Sequence, residues 1–113
     1  MPPHEPTTHV LFVCGKNKWR SPTAERIFAD YPGIECLSAG LGNDSDTVVS
    51  VDLVQWADLI FVMEPVHRIK LSARFRGELG DTRVICLDIA DRYQAMDPEL
   101  ISLLERRVTP HLH

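Results

Sequence analysis

Four short apolar runs alternate along the chain with longer segments whose apolar residues recur at helical spacing. The runs cover residues 9–13, 34–37, 57–63 and 83–89. Their length and their content of valine, isoleucine, leucine and phenylalanine are typical of β-strands. The third run, ADLIFVM, is almost continuously apolar. Such a run predicts a parallel strand that is buried on both faces of its sheet.

The segments between the runs carry helix start and stop signals. Ser21 and Pro22 predict an N-cap followed by proline at the first helical position, and this helix continues to residue 30. Asp46 is expected to cap a second helix over 47–56. A third helix follows Pro65 and ends at Gly77 or Gly80. Asp97 and Pro98 predict the start of the last helix, which halts near Pro110.

Strands that alternate with helices predict a parallel sheet with helices on both faces. We expect one domain over residues 1–113, with residues 1–8 as a frayed leader and four parallel strands in the order 2-1-3-4. Ligands of such three-layer α/β/α folds bind beyond the carboxyl ends of the strands. The loops after the first and the fourth strand lie there, so they are the candidate site.

Composition and charge narrow the possible functions. The formal charge of −4 argues against nucleic-acid or acidic-membrane partners, and no apolar run is long enough to cross a bilayer. The N-terminus lacks the features of a secretory signal. The chain has an odd number of cysteines, and their spacing is not that of a zinc site: Cys14, Cys36 and Cys86. These features predict a cytoplasmic protein with reduced thiols and with no metal or other cofactor.

The stretch VLFVCGKNKWRSPTAERIF carries the candidate chemistry. A loop that runs from a strand into a helix N-terminus directs backbone N–H groups and the positive end of the helix dipole at one point. Lys16, Lys18 and Arg20 add positive charge, and arginine can hold two phosphate oxygens at once. The sequence therefore predicts an anion cradle between the first strand and its helix.

Cys14 lies at the floor of this predicted cradle. The donors that bind an anion also stabilise a thiolate, so Cys14 is expected to ionise readily and to attack phosphorus. Ser21 could donate a hydrogen bond to its sulfur. The alternative is that Cys14 merely ends a strand and that Arg20 is a solvated charge. The strand–loop–helix context and the Ser-Pro after the arginine favour the functional interpretation.

The segment VCGKNKWRSPTAE resembles the phosphate-binding loop of the low-molecular-weight protein tyrosine phosphatases, whose pattern is V-C-x-G-N-x-C-R-S-P-x-A-E. The resemblance extends to residues 37–40, 57–63 and 87–93. It implies a cysteinyl-phosphate intermediate on Cys14 and contacts from Arg20 to the equatorial phosphate oxygens. It also assigns substrate-binding or loop-shaping roles to the remaining residues of the loop and its flank: Gly15, Lys16, Asn17, Lys18, Trp19 and Ser21. Ser38 is expected to belong to the hydrogen-bond network that supports the loop.

Cleavage of a phosphate ester also needs a proton for the leaving oxygen. The resemblance implies an aspartate after the fourth strand, and Asp91 is the candidate, with Tyr93 lining the entrance. Asp91 would later act as base on the hydrolytic water. Asp88 comes too near the strand end, and Asp97 is better explained as a helix cap. Asp91 could also be an ordinary loop carboxylate, because the proline of the family's motif is replaced here.

The sequence departs from the family pattern in two places, and both affect what can be expected of the site. Trp19 replaces the second cysteine of the loop, so a protective disulfide within the loop is not expected. Trp19 could instead form an aromatic wall beside the leaving group or a plug packed under the loop. The segment over residues 40–56 is shorter than the corresponding segment of the family, which shapes the rim of the active site. The family's substrate preference therefore does not transfer directly to this chain.

The leading hypothesis is a metal-free phosphomonoesterase whose partner is a phosphorylated protein or a small aryl phosphate. A phosphate-binding or phosphopeptide-binding module without turnover is the alternative. Arsenate reduction, which shares this fold and loop, is more distant because it needs further relay cysteines and VMEPVHRIKL contains none. The sequence leaves the physiological substrate and the oligomeric state open.

Overall fold

The computed structural model describes residues 7–112. Most of the predicted leader lies outside this range, but Thr8 already belongs to the first strand. The strands are β1 (Thr8–Cys14), β2 (Ile34–Gly40), β3 (Leu59–Val62) and β4 (Arg83–Cys86). The helices are α1 (Arg20–Phe28), α2 (Val51–Trp56), α3 (Pro65–Arg74), α4 (Arg76–Leu79) and α5 (Pro98–Val108), followed by a 3₁₀ turn at Thr109–His111. No helix in the described part of the chain is long and apolar enough to span a membrane.

The four strands form one parallel sheet in the order β2-β1-β3-β4, which confirms the predicted fold. β1 pairs with β2 along its whole length, from Thr8 opposite Ile34 to Cys14 opposite Gly40. On its other edge β1 pairs with β3, and β3 pairs with β4. The carboxyl ends of β1 and β3 therefore meet at one edge of the sheet, next to the end of β4.

The alternation of side chains along β1 builds two cores. Val10, Phe12 and Cys14 face a core shared with α1 and α5. Leu11 and Val13 face the other side, where the core is shared with α2, α3 and α4. Because β1 lies in the middle of the sheet and is packed on both faces, the last residue of the strand has a rigid position.

Several predicted boundaries are wrong. α1 begins at Arg20 with Trp19 at the N-cap, so Ser21 lies inside the helix rather than capping it. α2 is shorter than predicted: it begins at Val51, and the Ser50 side chain caps it by accepting from the Leu53 N–H. Asp46 therefore caps no helix, and residues 41–50 form a loop.

β4 is also shorter than the apolar run that predicted it. Asp88 adopts a φ of 55°, in the left-handed region, which interrupts regular strand geometry. The Leu87 N–H still bonds to Val62 O at the end of β3, and the Ile89 N–H bonds to Met63 O directly after it, so the chain stays attached beyond the end of β4. The predicted cap of the last helix is confirmed, since Asp97 accepts from the Glu99 N–H.

Candidate active site

A cleft of about 380 Å³ opens at the carboxyl ends of β1, β3 and β4. Three segments surround it: the loop over residues 15–19, which we call the cradle loop, the start of α3, and the loop after β4. The side chains and backbone that line the cleft belong to Cys14, Gly15, Lys16, Lys18, Trp19, Arg20, Glu64, His67 and Asp91. The predicted nucleophile, arginine and acid are thus brought together.

Asn17 holds the cradle loop in a tight curve from behind. Its φ of 55° is in the left-handed region, which asparagine tolerates better than most residues. Its buried side-chain amide donates to Ser21 Oγ and to Ser38 Oγ, both at 3.0 Å. Its Oδ1 accepts the Thr47 N–H at 3.0 Å. Asn17 and Ser38 therefore support the loop, and Asn17 does not line the cleft.

The sulfur of Cys14 lies within reach of two hydrogen-bond donors. The N–H of Asn17 donates to it at 3.1 Å, and Ser21 Oγ lies 2.9 Å away. Because Ser21 Oγ already accepts from Asn17, its own hydrogen can be donated to the sulfur. The two contacts therefore hold the Cys14 sulfur in a defined position at the floor of the cleft.

Backbone donors of the cradle loop remain for a ligand. Within residues 7–112, the N–H groups of Gly15, Lys16, Lys18 and Trp19 donate to no other group. They precede the N-terminus of α1, whose dipole adds partial positive charge. A curved run of such N–H groups is an anion-binding arrangement.

The guanidinium of Arg20 is 3% exposed and is held along one edge. Its Nη1 donates to Glu64 Oε1 at 2.5 Å and to the carbonyl of Ile89 at 2.7 Å. Its Nε is buried and has no hydrogen-bond partner in the described chain. Nη2 makes no hydrogen bond to residues 7–112 either, so the edge from Nε to Nη2 keeps both donors for a bidentate contact with an oxyanion.

Glu64 and His67, which the sequence did not single out as site residues, complete one wall of the cleft. A lone histidine on a helix is usually a solvated surface residue, but His67 is 5% exposed. The Glu64 N–H donates to His67 Nδ1 at 3.1 Å. Burial, followed by the positive charge of Arg20, lowers the pKa of His67 below its ordinary 6.5. The ring is therefore neutral at neutral pH, with its proton on Nε2.

Asp91 reaches the cleft from the loop after β4. Its side chain is 60% exposed, and its Oδ1 lies 3.7 Å from Arg20 Nε, too far for a hydrogen bond. The loop is anchored on both sides of Asp91. Ile89 bonds to β3 and to Arg20, and the Met96 N–H donates to Thr23 Oγ1 at 3.0 Å. A carboxyl group at the mouth of the cleft with solvent access can exchange a proton with substrate and with water.

The remaining predicted residues divide into two groups. Trp19 is 47% exposed and lines the cleft, which agrees with an aromatic wall and not with a plug under the loop. Lys16 and Lys18 are exposed at the rim. Tyr93 does not line the entrance as predicted. It is 5% exposed and packs in the core shared by α1 and α5, with Arg92 donating to its hydroxyl.

Gly40 is a further site residue that only the structure explains. A Cβ at this position would lie 2.7 Å from the backbone nitrogen of Asn17 and 2.8 Å from the carbonyl carbon of Lys16. The cradle loop therefore rests directly on the end of β2. The next residues continue this support, since Gly42 donates its N–H to Gly15 O at 2.8 Å. The signal in the sequence is the glycine directly after the apolar end of the second strand.

Comparisons with known proteins agree with this geometry. The model of the family described as low molecular weight phosphotyrosine protein phosphatase matches residues 9–56, from β1 to the end of α2. This range contains the whole cradle loop, Ser38 and Gly40. No curated protein sequence matches the chain.

Solved structures of similar fold include the YwlE arginine phosphatase from Geobacillus stearothermophilus, with 23% identity, a TM-score of 0.73 and coverage of 93% of this chain and 92% of that chain. The tyrosine phosphatase Wzb from Escherichia coli K30, solved with phosphate, has 24% identity, a TM-score of 0.73 and coverage of 93% and 96%. Wzb from Vibrio vulnificus, solved with benzylphosphonate, has 21% identity, a TM-score of 0.73 and coverage of 92% and 96%. At these identities the likeness shows a shared fold. The family model matches the segment that contains the cradle loop, and the solved structures show that the chain as a whole shares the fold of these phosphatases.

Proposed function

We propose that this protein hydrolyses phosphotyrosine or a similar aryl phosphate through a cysteinyl-phosphate intermediate on Cys14. One observation carries the proposal. The Cys14 sulfur, with donors from Asn17 and Ser21, lies at the floor of a cleft that also holds the edge of Arg20 that has no partner in the described part of the chain. A nucleophile, an oxyanion site and a proton donor in one cleft are the parts that phosphoryl transfer requires.

Substrate binding uses the donors that have no partner among residues 7–112. The phosphate oxygens accept from the cradle-loop N–H groups and from Arg20 Nε and Nη2, which places phosphorus above the sulfur. Glu64 and the Ile89 carbonyl fix the opposite edge of the guanidinium. Because this orientation exists before the substrate arrives, little reorganisation is needed to stabilise the charge of the transition state.

In the first chemical step the Cys14 thiolate attacks phosphorus, and the bond from phosphorus to the aryl oxygen breaks. Asp91, in its protonated form, donates its proton to the leaving oxygen. The products are a cysteinyl phosphate, a phenol and the Asp91 carboxylate. Trp19 supplies an exposed aromatic face at the rim against which an aryl leaving group can pack.

In the second step a water molecule attacks the phosphocysteine while the Asp91 carboxylate accepts its proton. The bond from sulfur to phosphorus breaks, and the electron pair returns to the sulfur as thiolate. The donors from Ser21 and Asn17 stabilise that departing thiolate. Inorganic phosphate then leaves the cradle, and Asp91 is again protonated.

Arsenate reduction receives less support. A disulfide relay needs reactive thiols close to the nucleophile, but Cys36 and Cys86 lie in β2 and β4. Burial, followed by the negative charge of Glu25, raises the pKa of Cys36 to about 11, which makes its thiol a poor nucleophile at neutral pH.

Turnover of p-nitrophenyl phosphate and phenyl phosphate tests the proposal. Cys14→Ser should abolish turnover of both substrates. Asp91→Asn should slow phenyl phosphate more than p-nitrophenyl phosphate, because p-nitrophenolate leaves readily without a proton. Activity that survives in Cys14→Ser would contradict the mechanism. Phosphate-analogue binding by the reduced wild-type protein without any turnover would instead indicate a binding module.

A further inference from the structure

A second groove runs beside the catalytic cleft. Its volume is about 720 Å³, and its walls are the loop after β2 and one side of α3. We call it the side groove; its lining residues outside the cradle loop include Leu41, Gly42, Asp44, Val66, Lys70 and Arg74. Gly15, Lys16 and His67 line both spaces, so the side groove is continuous with the catalytic cleft.

The charges of the side groove are mostly positive, although the whole chain carries a formal charge of −4. Lys16, Lys70 and Arg74 line it, against the single carboxylate of Asp44. Asp44 Oδ2 lies 3.7 Å from Lys16 Nζ, and both side chains are largely exposed. Lys70 makes no ion pair among the described residues. An excess of unpaired positive charge on an acidic protein marks a surface that attracts anionic groups.

The geometry of α3 fits an extended peptide. Lys70 and Arg74 are four residues apart on α3, about 6 Å along the helix axis. Alternate residues of an extended chain are about 6.8 Å apart and point to the same side. Arg74 is also fixed in direction, because its Nη1 donates to the Leu41 carbonyl at 3.0 Å across the groove. Two acidic side chains at alternate positions of a peptide can therefore face these two cations together.

The side groove also offers apolar surface between its charges. Val66 on α3 is exposed and lines the groove, whereas Leu41 is buried at its wall. The Val66 side chain can contact the aliphatic part of a peptide whose acidic groups face the lysine and the arginine. A surface with this combination suits a peptide better than it suits a free inorganic anion.

We propose that the side groove binds the acidic residues that flank the phosphorylated residue of a peptide substrate, an inference that rests on the proposed function. The groove begins at the cradle loop, so a chain whose phosphate occupies the cradle can continue directly into it. Acidic flanks are attracted by the excess positive charge, and basic flanks are repelled. Because the groups are exposed, this preference weakens as salt rises.

Peptides that differ only in their flanks test the inference. Three phosphotyrosine peptides carry glutamate, glutamine or lysine at alternate flanking positions, and kcat/KM is measured at low salt. The wild-type protein should prefer the glutamate peptide over the glutamine peptide by about fivefold, the size expected for two or three exposed ion pairs. Lys70→Glu should remove this preference. Asp44→Asn should increase it, because Lys16 loses its competing partner.

Arg106→Glu is the matched control, with the same charge change on α5 at the opposite face of the sheet. It should keep the wild-type flank preference, and neither charge reversal should change turnover of p-nitrophenyl phosphate. Two results would overturn the inference. One is an equal kcat/KM of the wild-type protein for the three peptides, and the other is an equal loss of the flank preference in Lys70→Glu and Arg106→Glu. Absence of turnover of every substrate would contradict the proposed function instead. Peptide affinity of Cys14→Ser, measured by fluorescence anisotropy, then shows whether the flank preference exists without catalysis.

Discussion

Glu64 Oε1 accepts a hydrogen bond from Arg20 Nη1 at 2.5 Å, which joins the end of β3 to the start of α1. The carbonyl of Ile89 accepts from the same nitrogen, so three segments of the chain meet at one edge of the guanidinium. The other edge is thereby turned toward the cleft. The direction of the guanidinium edge that we propose to bind the phosphate thus depends on a carboxylate on the opposite edge.

Removing this carboxylate should reduce catalysis through the orientation of Arg20. Glu64→Ala leaves Nη1 with the Ile89 carbonyl alone, and the guanidinium can then rotate. We expect kcat/KM for p-nitrophenyl phosphate to fall about 10- to 100-fold. The affinity for inorganic phosphate, measured as competitive inhibition, should fall with it.

Glu64→Gln separates orientation from charge. The amide oxygen can still accept from Arg20, so the loss in kcat/KM should be much smaller than for alanine. Equal losses in the two variants would indicate that the charge of Glu64 matters and its position does not. Wild-type kinetics in both would contradict a positioning role, and thermal unfolding of each variant checks that the fold is retained.

Gly40 should be intolerant of a side chain because the cradle loop rests on it. In Gly40→Ala the Cβ would lie 2.2 Å from Ser45 Oγ, which can rotate, but also within 2.8 Å of the loop backbone at Asn17 and Lys16, which cannot move without distorting the cradle. We expect a loss of about 1–3 kcal/mol in the free energy of unfolding, together with a large loss of phosphatase activity. Urea unfolding and p-nitrophenyl phosphate turnover measure the two effects.

Gly77→Ala is the matched control. Gly77 lies in α4, and a Cβ there would meet nothing within 4 Å. Alanine should stabilise this position by about 0.5–1 kcal/mol, because it restricts the unfolded chain and favours the helix. Similar effects of the two substitutions would contradict the close approach between β2 and the cradle loop.

His67 should make stability depend on pH. The unfolded chain takes up a proton at His67 near pH 6.5, whereas the folded protein does so only at lower pH because burial and Arg20 disfavour the charged ring. Between these two values the unfolded state binds more protons. The free energy of unfolding should therefore fall as pH decreases below 6.5.

His67→Gln removes this contribution while keeping a polar side chain at the start of α3. Urea unfolding of the wild-type protein and the variant between about pH 5 and 8 isolates the contribution of His67. The other titrating groups contribute equally to the pH dependence of both proteins. We expect the stability difference between wild type and variant to shrink as pH decreases. A difference that is independent of pH would show that His67 titrates alike in the folded and unfolded states.

The sequence predicted the sheet and the cradle loop well because both rest on local signals. Short apolar runs define the strands, and the strand–loop–helix context identifies Cys14 and Arg20. Ser21 was misassigned because serine before proline is a strong capping signal. In the folded chain the Cys14 sulfur and the Asn17 amide offer partners to its hydroxyl that no local pattern can reveal.

Other site residues depend on tertiary contacts in different degrees. Glu64 could be anticipated from topology, since β3 neighbours β1 and the residues after β3 must lie beside the cradle loop. The burial of Tyr93 could not be predicted in this way. Tyr93 follows the irregular turn at Asp88, and beyond that turn the alternation of side chains along a strand no longer indicates which way a side chain points. The late start of α2 depends on Thr47, whose N–H bonds to Asn17 instead of opening a helix.

The most direct test of the account is rapid-quench mass spectrometry of the enzyme during turnover of p-nitrophenyl phosphate. We predict a phosphoryl group covalently attached to the peptide that contains Cys14. It should accumulate further in Asp91→Asn, where attack by water lacks its base, and be absent from Cys14→Ser. Turnover with no phosphoryl group on Cys14 in the wild-type or the Asp91→Asn enzyme would contradict the claim that this thiolate attacks phosphorus.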